Sequence, residues 1–245
     1  MPLDHHPFVT RLSAFMKMDA TDLKCLEQIL EGERLVKKRK DLIVDGFKYR
    51  NLCFVKDGYA MRYKLLRNGK RQILNVILPG DVIGFTVSFY DRSTYSVIAL
   101  SDVKFNVCLI DSYVQLCFER PQFGLALSWL AIEEAAIYAE HLVDIGRRTP
   151  VERLAHFLLE THSRLRAVGL AQKTSFELPV SQEVMADVLG LSVPHLNRVM
   201  QQLRKDKLIS NRARLIEFSD VPGLQTLAHY QPLILAAIPF PARKP

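Results

Sequence analysis

The stretch Ser181-Gln-Glu-Val-Met-Ala-Asp-Val-Leu-Gly-Leu-Ser-Val-Pro-His-Leu-Asn-Arg-Val-Met-Gln-Gln-Leu-Arg constrains the fold of this chain more than any other. Ser181 can accept a hydrogen bond from the backbone at a helix start, and Val184, Met185, Val188 and Leu189 share the apolar side of that helix. Gly190 takes positive φ without strain, so the helix can stop and turn there. Ser192 caps a second helix, and Pro194 is tolerated in its first turn, where the N–H that proline lacks has no intrahelical partner. Ala186 lets two helices approach closely, and Leu196 and Val199, ten and thirteen residues later, form the buried side of the second. That spacing predicts a helix-turn-helix.

If Leu196, Val199, Met200 and Leu203 turn inward, His195, Arg198, Gln201, Gln202 and Lys205 share an outer face, with Asn197 and Arg204 beside it. Such donors read base edges or grip phosphate: His195, Asn197, Arg198 and Gln201 are the candidates for bases, and Ser181, Gln182, Ser192, Gln202, Arg204 and Lys205 for the sugar-phosphate backbone. The chain carries a net charge of +7, and it concentrates here: Arg198, Arg204, Lys205, Lys207, Arg212 and Arg214 meet only Asp206 between positions 198 and 214. A basic flank beside a groove-sized helix points to double-stranded DNA. Residues 208–218, with a turn at 211–213, read as a two-stranded wing that carries Arg212 and Arg214 toward the backbone.

Upstream the hydrophobic period changes. Residues 8–15 and the stretch after Asp19 or Thr21, with Leu23, Leu26, Ile29 and Leu30, are helical. From about Glu33 the period is two: Tyr59, Met61, Tyr63 and Leu65 alternate with Ala60, Arg62 and Lys64, and Asn68-Gly69 separates two apolar runs as a hairpin turn does. Further runs at 95–100 and 103–110 complete a small barrel or roll. Residues 125–145 then hold neither Gly nor Pro, which gives a rod about 31 Å long. Its apolar residues form two stripes, one through Ala131, Ala135, Tyr138, Leu142 and Ile145, the other through Trp129, Ile132, Ala136, Ala139 and Val143. Such a helix needs two partners, its own roll and a second copy of itself, and Trp129, Ile132, Ala135, Ala139 and Leu142 are the expected dimer contacts; burial inside one subunit is the plainer alternative. Gly146-Arg147-Arg148-Thr149-Pro150 reads as a hinge, with Thr149 capping the next helix.

Other classes are disfavoured. There is no nucleophile elbow, phosphate-binding glycine loop or H-E-x-x-H arrangement, so catalysis is not expected, and His141 and His156 read as packing or surface residues. Cys25, Cys53, Cys108 and Cys117 are scattered without metal-ligand spacing, which favours buried reduced thiols, no metal and no cofactor. No apolar run approaches the ~20 residues of a membrane helix and no signal layout opens the chain, which implies a cytoplasmic protein without membrane contact.

Taken together, Val55-Lys-Asp-Gly-Tyr, Leu78-Pro-Gly-Asp-Val-Ile-Gly, the long helix, the hinge and the helix-turn-helix with its wing resemble the Crp/Fnr family of bacterial transcription regulators, over nearly the whole chain. The resemblance implies an α+β fold: a double-stranded, jelly-roll-like β-roll with N-terminal helices over 1–120, a dimerisation helix over 121–146, a winged helix-turn-helix over 147–220 and an extension over 221–245. It also implies a homodimer that binds a palindromic promoter site and acts on RNA polymerase. In cyclic-nucleotide binders of the family a glutamate follows the cassette glycine and an arginine neutralises the cyclic phosphate. Here Phe85 follows Gly84, and within Arg92-Ser93-Thr94 it is Ser93 that stands at the arginine's place. A phosphate buried without that charge would be badly desolvated, so cyclic AMP is not the expected effector, and the sequence names no other. The cysteine cluster of the family's oxygen sensors is absent. Pro194 stands at the recognition helix's frequent glutamate position while Arg198 matches its arginine, so an altered half-site is expected. The competing reading is a cyclic-nucleotide-responsive protein that acts through a protein partner; the rest of the tail, including its apolar stretch at 233–238, could dock on the roll or on the DNA-binding domain.

Overall fold

The structure, a computed structural model, describes residues 3–178 and 180–232. Phe8, Val9 and Leu12 form the buried face of α1 (Pro7–Phe15), whose start is capped by His6 Nδ1 accepting from the Phe8 N–H. Asp19 caps α2 (Ala20–Ile29) in a reciprocal box with Asp22. Eight strands include β1 (Glu33–Val36), β2 (Asp41–Ile43), β3 (Asn51–Asp57), β4 (Ala60–Leu65), β5 (Arg71–Ile77), β6 (Val82–Ile83), β7 (Ser96–Ala99) and β8 (Val103–Leu109). They pair antiparallel into two four-stranded sheets, ordered β1-β8-β3-β6 and β2-β7-β4-β5. Val55, Ala60, Ile77, Ile83, Val97 and Phe105 close the space between the sheets, which is the roll that the period of two anticipates.

One detail of β4 departs from the simple alternation. Ala60, Met61 and Arg62 are all buried, because a register shift between Arg62 and Tyr63 re-aims the strand and a long helix covers the face that carries Arg62. That helix, α4 (Pro121–Gly146), follows α3 (Ile110–Glu119); its 26 residues make a rod of about 39 Å. Phe123, Ala126, Leu127 and Leu130 anchor its first half on α1, α3 and the roll. Leu125, Ile132, Ala135, Ala139 and Leu142 lie exposed along its outer side, with Ile132 at 64% and Leu142 at 74%. Trp129 is not on that side: its ring stacks on Phe15 of α1 at 4.5 Å, so its partner lies within the same chain. The two expected stripes thus merge, since one runs inward at its start and outward at its end.

Thr149 caps α5 (Pro150–Ala167) in a box with Glu152. Leu154, Leu158 and Leu165 of α5 form one core with α6 (Gln182–Leu189), α7 (Val193–Lys205) and a three-stranded sheet ordered β10-β11-β9, where β9 is Ser175–Glu177, β10 Ile209–Arg212 and β11 Leu215–Phe218. The wing thus gains a third strand, and its turn falls at Ala213-Arg214 rather than at 211–213, because Arg212 pairs with Leu215. Beyond 220 the chain forms α8 (Val221–Ala228), whose Leu224 and Ala228 are fully buried in this same core. The beginning of the extension therefore packs with the DNA-binding domain, which moves the expected boundary at 220/221 past α8; residues 233–238 lie outside the described residues. No helix among the described residues is long and apolar enough to cross a membrane.

Candidate nucleic-acid interface

The two helices of the motif are set by local chemistry. Ser181 Oγ accepts from the Val184 N–H and Ser192 Oγ from the His195 N–H, both at 3.4 Å. Gly190 sits at φ +64°, which ends α6, and the Leu191 N–H returns to the Ala186 carbonyl at 2.8 Å. Arg153 of α5 reaches the Leu189 carbonyl, so the turn is braced from behind by a half-buried guanidinium. Met185, Ala186 and Leu189 pack against Leu196, Val199, Met200 and Leu203, and Leu196 and Leu203 are fully buried. Val184 and Val188, read as buried, are only half so.

With that side fixed, the other side of α7 is free. Arg198, Gln201, Gln202, Arg204 and Lys205 are exposed, while His195 and Asn197 are half-buried at its flanks. Gln202 is engaged with Asp206 at 2.9 Å and Arg204 with Asn211 of β10 at 3.1 Å, which leaves Arg198 and Gln201 as the donors at mid-helix. Ser181, Gln182, Ser192, Arg212 and Arg214 are also exposed, so each proposed contact residue lies on the surface of one small domain.

The cassette residues come out differently. Gly84, at φ +98°, is required by its backbone, since a Cβ there would stand 2.2 Å from the Asn51 carbonyl. Phe85 packs edge-on against Phe89, Arg92 projects into solvent beside Asp91, and the buried Ser93 donates from Oγ to the Tyr95 carbonyl at 2.6 Å. A cavity of about 340 Å³ does lie between the roll and α4, lined by Arg62, Thr86, Tyr95, Glu134, Tyr138 and His141 among others. Its guanidinium, Arg62, missed at the sequence level, sits 4.5 Å from the Tyr95 ring and is bound to Glu134 and Tyr138 of α4. A cyclic phosphate bound there would have to compete with Glu134 for the Arg62 guanidinium. Burial pushes the Cys53 thiol up to about 11, against the small opposing pull of the Tyr49 hydroxyl, so this cysteine is held as a thiol.

Sequence reasoning also missed how the domain is held. Asp81, of the Pro-Gly-Asp turn, accepts from the Leu78 N–H and from both Arg11 of α1 and Arg164 of α5. Burial alone would raise its carboxyl, but Arg164 and Arg11 keep it below the usual carboxylate range. Arg71 of β5 pairs with Asp187 of α6. No local sequence pattern marks the three ion pairs, whose members lie 70 to 116 residues apart.

A β-roll joined through one long helix to a winged helix-turn-helix defines a DNA-binding regulator rather than an enzyme. Residues 152–227 match the Crp-like helix-turn-helix domain and residues 33–117 the cyclic nucleotide-binding domain. The chain is 35% identical over 174 residues to the nitrogen fixation regulation protein FixK of Bradyrhizobium diazoefficiens, covering 71% of this chain and 72% of that one. It is 26% identical over 215 residues to the transcriptional activator protein Anr of Pseudomonas aeruginosa, covering 87% of each. The solved structure of FixK2 from Bradyrhizobium japonicum superposes with a TM-score of 0.72 at 27% identity, over 80% of this chain and 96% of that one. The chain belongs to the Crp/Fnr family of transcription regulators.

Proposed function

We propose that the chain is a homodimer that reads a palindromic promoter site through α7, acts on RNA polymerase in the cytoplasm, and does so without cyclic AMP. The observation that carries this reading is the division of α7 into a fully buried apolar side and an exposed side bearing Arg198 and Gln201, with a basic wing alongside. His195, Asn197, Arg198 and Gln201 contact bases, while Ser181, Gln182, Ser192, Gln202, Arg204, Lys205, Arg212 and Arg214 hold the backbone. Ile132, Ala135, Ala139 and Leu142, spaced three, four and three residues apart on the exposed side of α4, form the seam between two copies. The name of Anr, a transcriptional activator protein, supports activation as the outcome.

Selection of duplexes from a random pool, followed by titration at several salt concentrations, tests the reading. Enrichment of an inverted repeat with two half-sites about 10 base pairs apart, and a steep loss of affinity with salt, are expected. Equal affinity for every sequence overturns it. Calorimetry with cyclic AMP should give no heat of binding, since Arg62 is already paired; a saturable heat would favour a cyclic-nucleotide-responsive role instead.

A further inference from the structure

The roll, α4 and α5 meet in a cluster of charge that DNA recognition does not use. Arg148 of the hinge binds Glu140 at 2.7 Å and Asp144 at 2.9 Å on α4. Arg164 of α5 spans Glu160 and Asp81, and Arg11 spans Asp81 and Glu133. Five carboxylates thus meet three guanidiniums. The two histidines in the cluster, His141 on α4 and His156 on α5, stand where the missing positive charge would go.

His141 is the more telling of the two. Its Nε2 lies 2.8 Å from Glu160 Oε2 on α5 and its Nδ1 lies 3.1 Å from the Leu74 carbonyl oxygen on β5. Both neighbours are acceptors. A neutral imidazole has one N–H and can satisfy only one of them, whereas an imidazolium donates to both. The side chain is 18% exposed, so water does not readily substitute for a broken hydrogen bond there. We propose that the proton on His141 fastens the DNA-binding domain to the roll and to α4, and that its loss releases the domain and with it the orientation of α7.

The surrounding groups agree with this arrangement. Asp144 on its own helix adds negative charge, Arg164 is occupied by Glu160 and Asp81, and on the cavity side Arg62, Glu134 and Tyr138 are paired with one another. His156, 3% exposed, lies between Glu140 and Asp144 at 3.3 and 3.2 Å with the Tyr230 ring against it. Burial draws the His141 imidazole down, but Glu160, the Leu74 carbonyl and Asp144 together outweigh it and the group lies above its ordinary value. The fastening is therefore complete below the pKa of a free imidazole and is lost as pH rises through the raised one.

The test uses the full chain without DNA, so that its failure is distinct from failure of the DNA-binding reading. Proton–carbon NMR of the histidine Cε1–H groups, assigned with His141→Gln, gives the titration of His141 directly. Trypsin cleavage after Arg147 and Arg148, normalised to an unfolded peptide, follows release of the hinge. We expect His141 to titrate above an exposed histidine and Glu160→Gln to bring it down. Hinge cleavage of the wild type should rise about tenfold for each pH unit between the free-imidazole pKa and the raised one, while His141→Gln stays flat. Titration at or below the ordinary value, or a wild-type cleavage profile parallel to that of His141→Gln, overturns the proposal. Should His141→Gln not fold, the His141 signal is assigned through its backbone correlations and Glu160→Gln decides: an unmoved His141 titration overturns it.

Discussion

Arg198 and Arg212 are both exposed guanidiniums of the same domain, and their places in it predict different effects. Arg198 stands at mid-helix on α7, where it can hold a guanine edge with two hydrogen bonds, so Arg198→Ala should cost about 1 to 3 kcal/mol on the selected site and little on random DNA. Arg212, at the end of β10, is proposed to reach the DNA backbone, so Arg212→Ala should weaken all sequences alike and reduce the salt slope by about one. Parallel titrations on selected and random duplexes separate the two, and equal loss for Arg198→Ala assigns that side chain to phosphate. The exposure of Arg198 was legible in the sequence because the motif that places it is local, fixed by Ser181, Gly190 and Ser192, and that of Arg212 because the β10–β11 hairpin is short. Arg62 was not, because its partners Glu134 and Tyr138 lie 72 and 76 residues away and the alternation of β4 counted it as outward-facing.

Helix α4 shows what periodicity can and cannot reveal at the scale of an element. Its length and apolar character were plain, but a rod with two greasy stripes does not announce which faces its own fold. The stacking of Trp129 on Phe15, 114 positions earlier, settles that face as internal and leaves Ile132, Ala135, Ala139 and Leu142 outside. Leu142 is 74% exposed in the single chain, so Leu142→Glu should leave the fold and melting of each subunit nearly unchanged. In the proposed dimer the same change would bury a charge without a counter-ion. Sedimentation should accordingly show a shift to monomer, with DNA affinity lost alongside it; an unaltered dimer would move the seam elsewhere.

Across the whole molecule the notable device is the ionic junction, and acid should expose it. Burial raises the Glu160 carboxyl, yet His141 and Arg164 together bring it down to about 2 from 4.5. A group depressed in this way contributes stability that is present above the unfolded value and fades as pH falls toward the folded one. The excess melting temperature of the wild type over Glu160→Gln should therefore shrink between pH 4.5 and about 2, and a gap constant across that window would count against the pairing. Apart from the local pairs Asp144–Arg148 and Glu160–Arg164, this junction could not be read from the chain itself, for it is assembled from α1, the roll, α4 and α5, whose members become neighbours only once both domains have folded. Asp81 has a practical corollary: because one carboxylate takes Arg11 from the amino-terminal helix and Arg164 from the reading head, a fusion tag or truncation that disturbs residues 7–15 would be transmitted to a domain that begins more than a hundred positions downstream, so purification handles belong elsewhere.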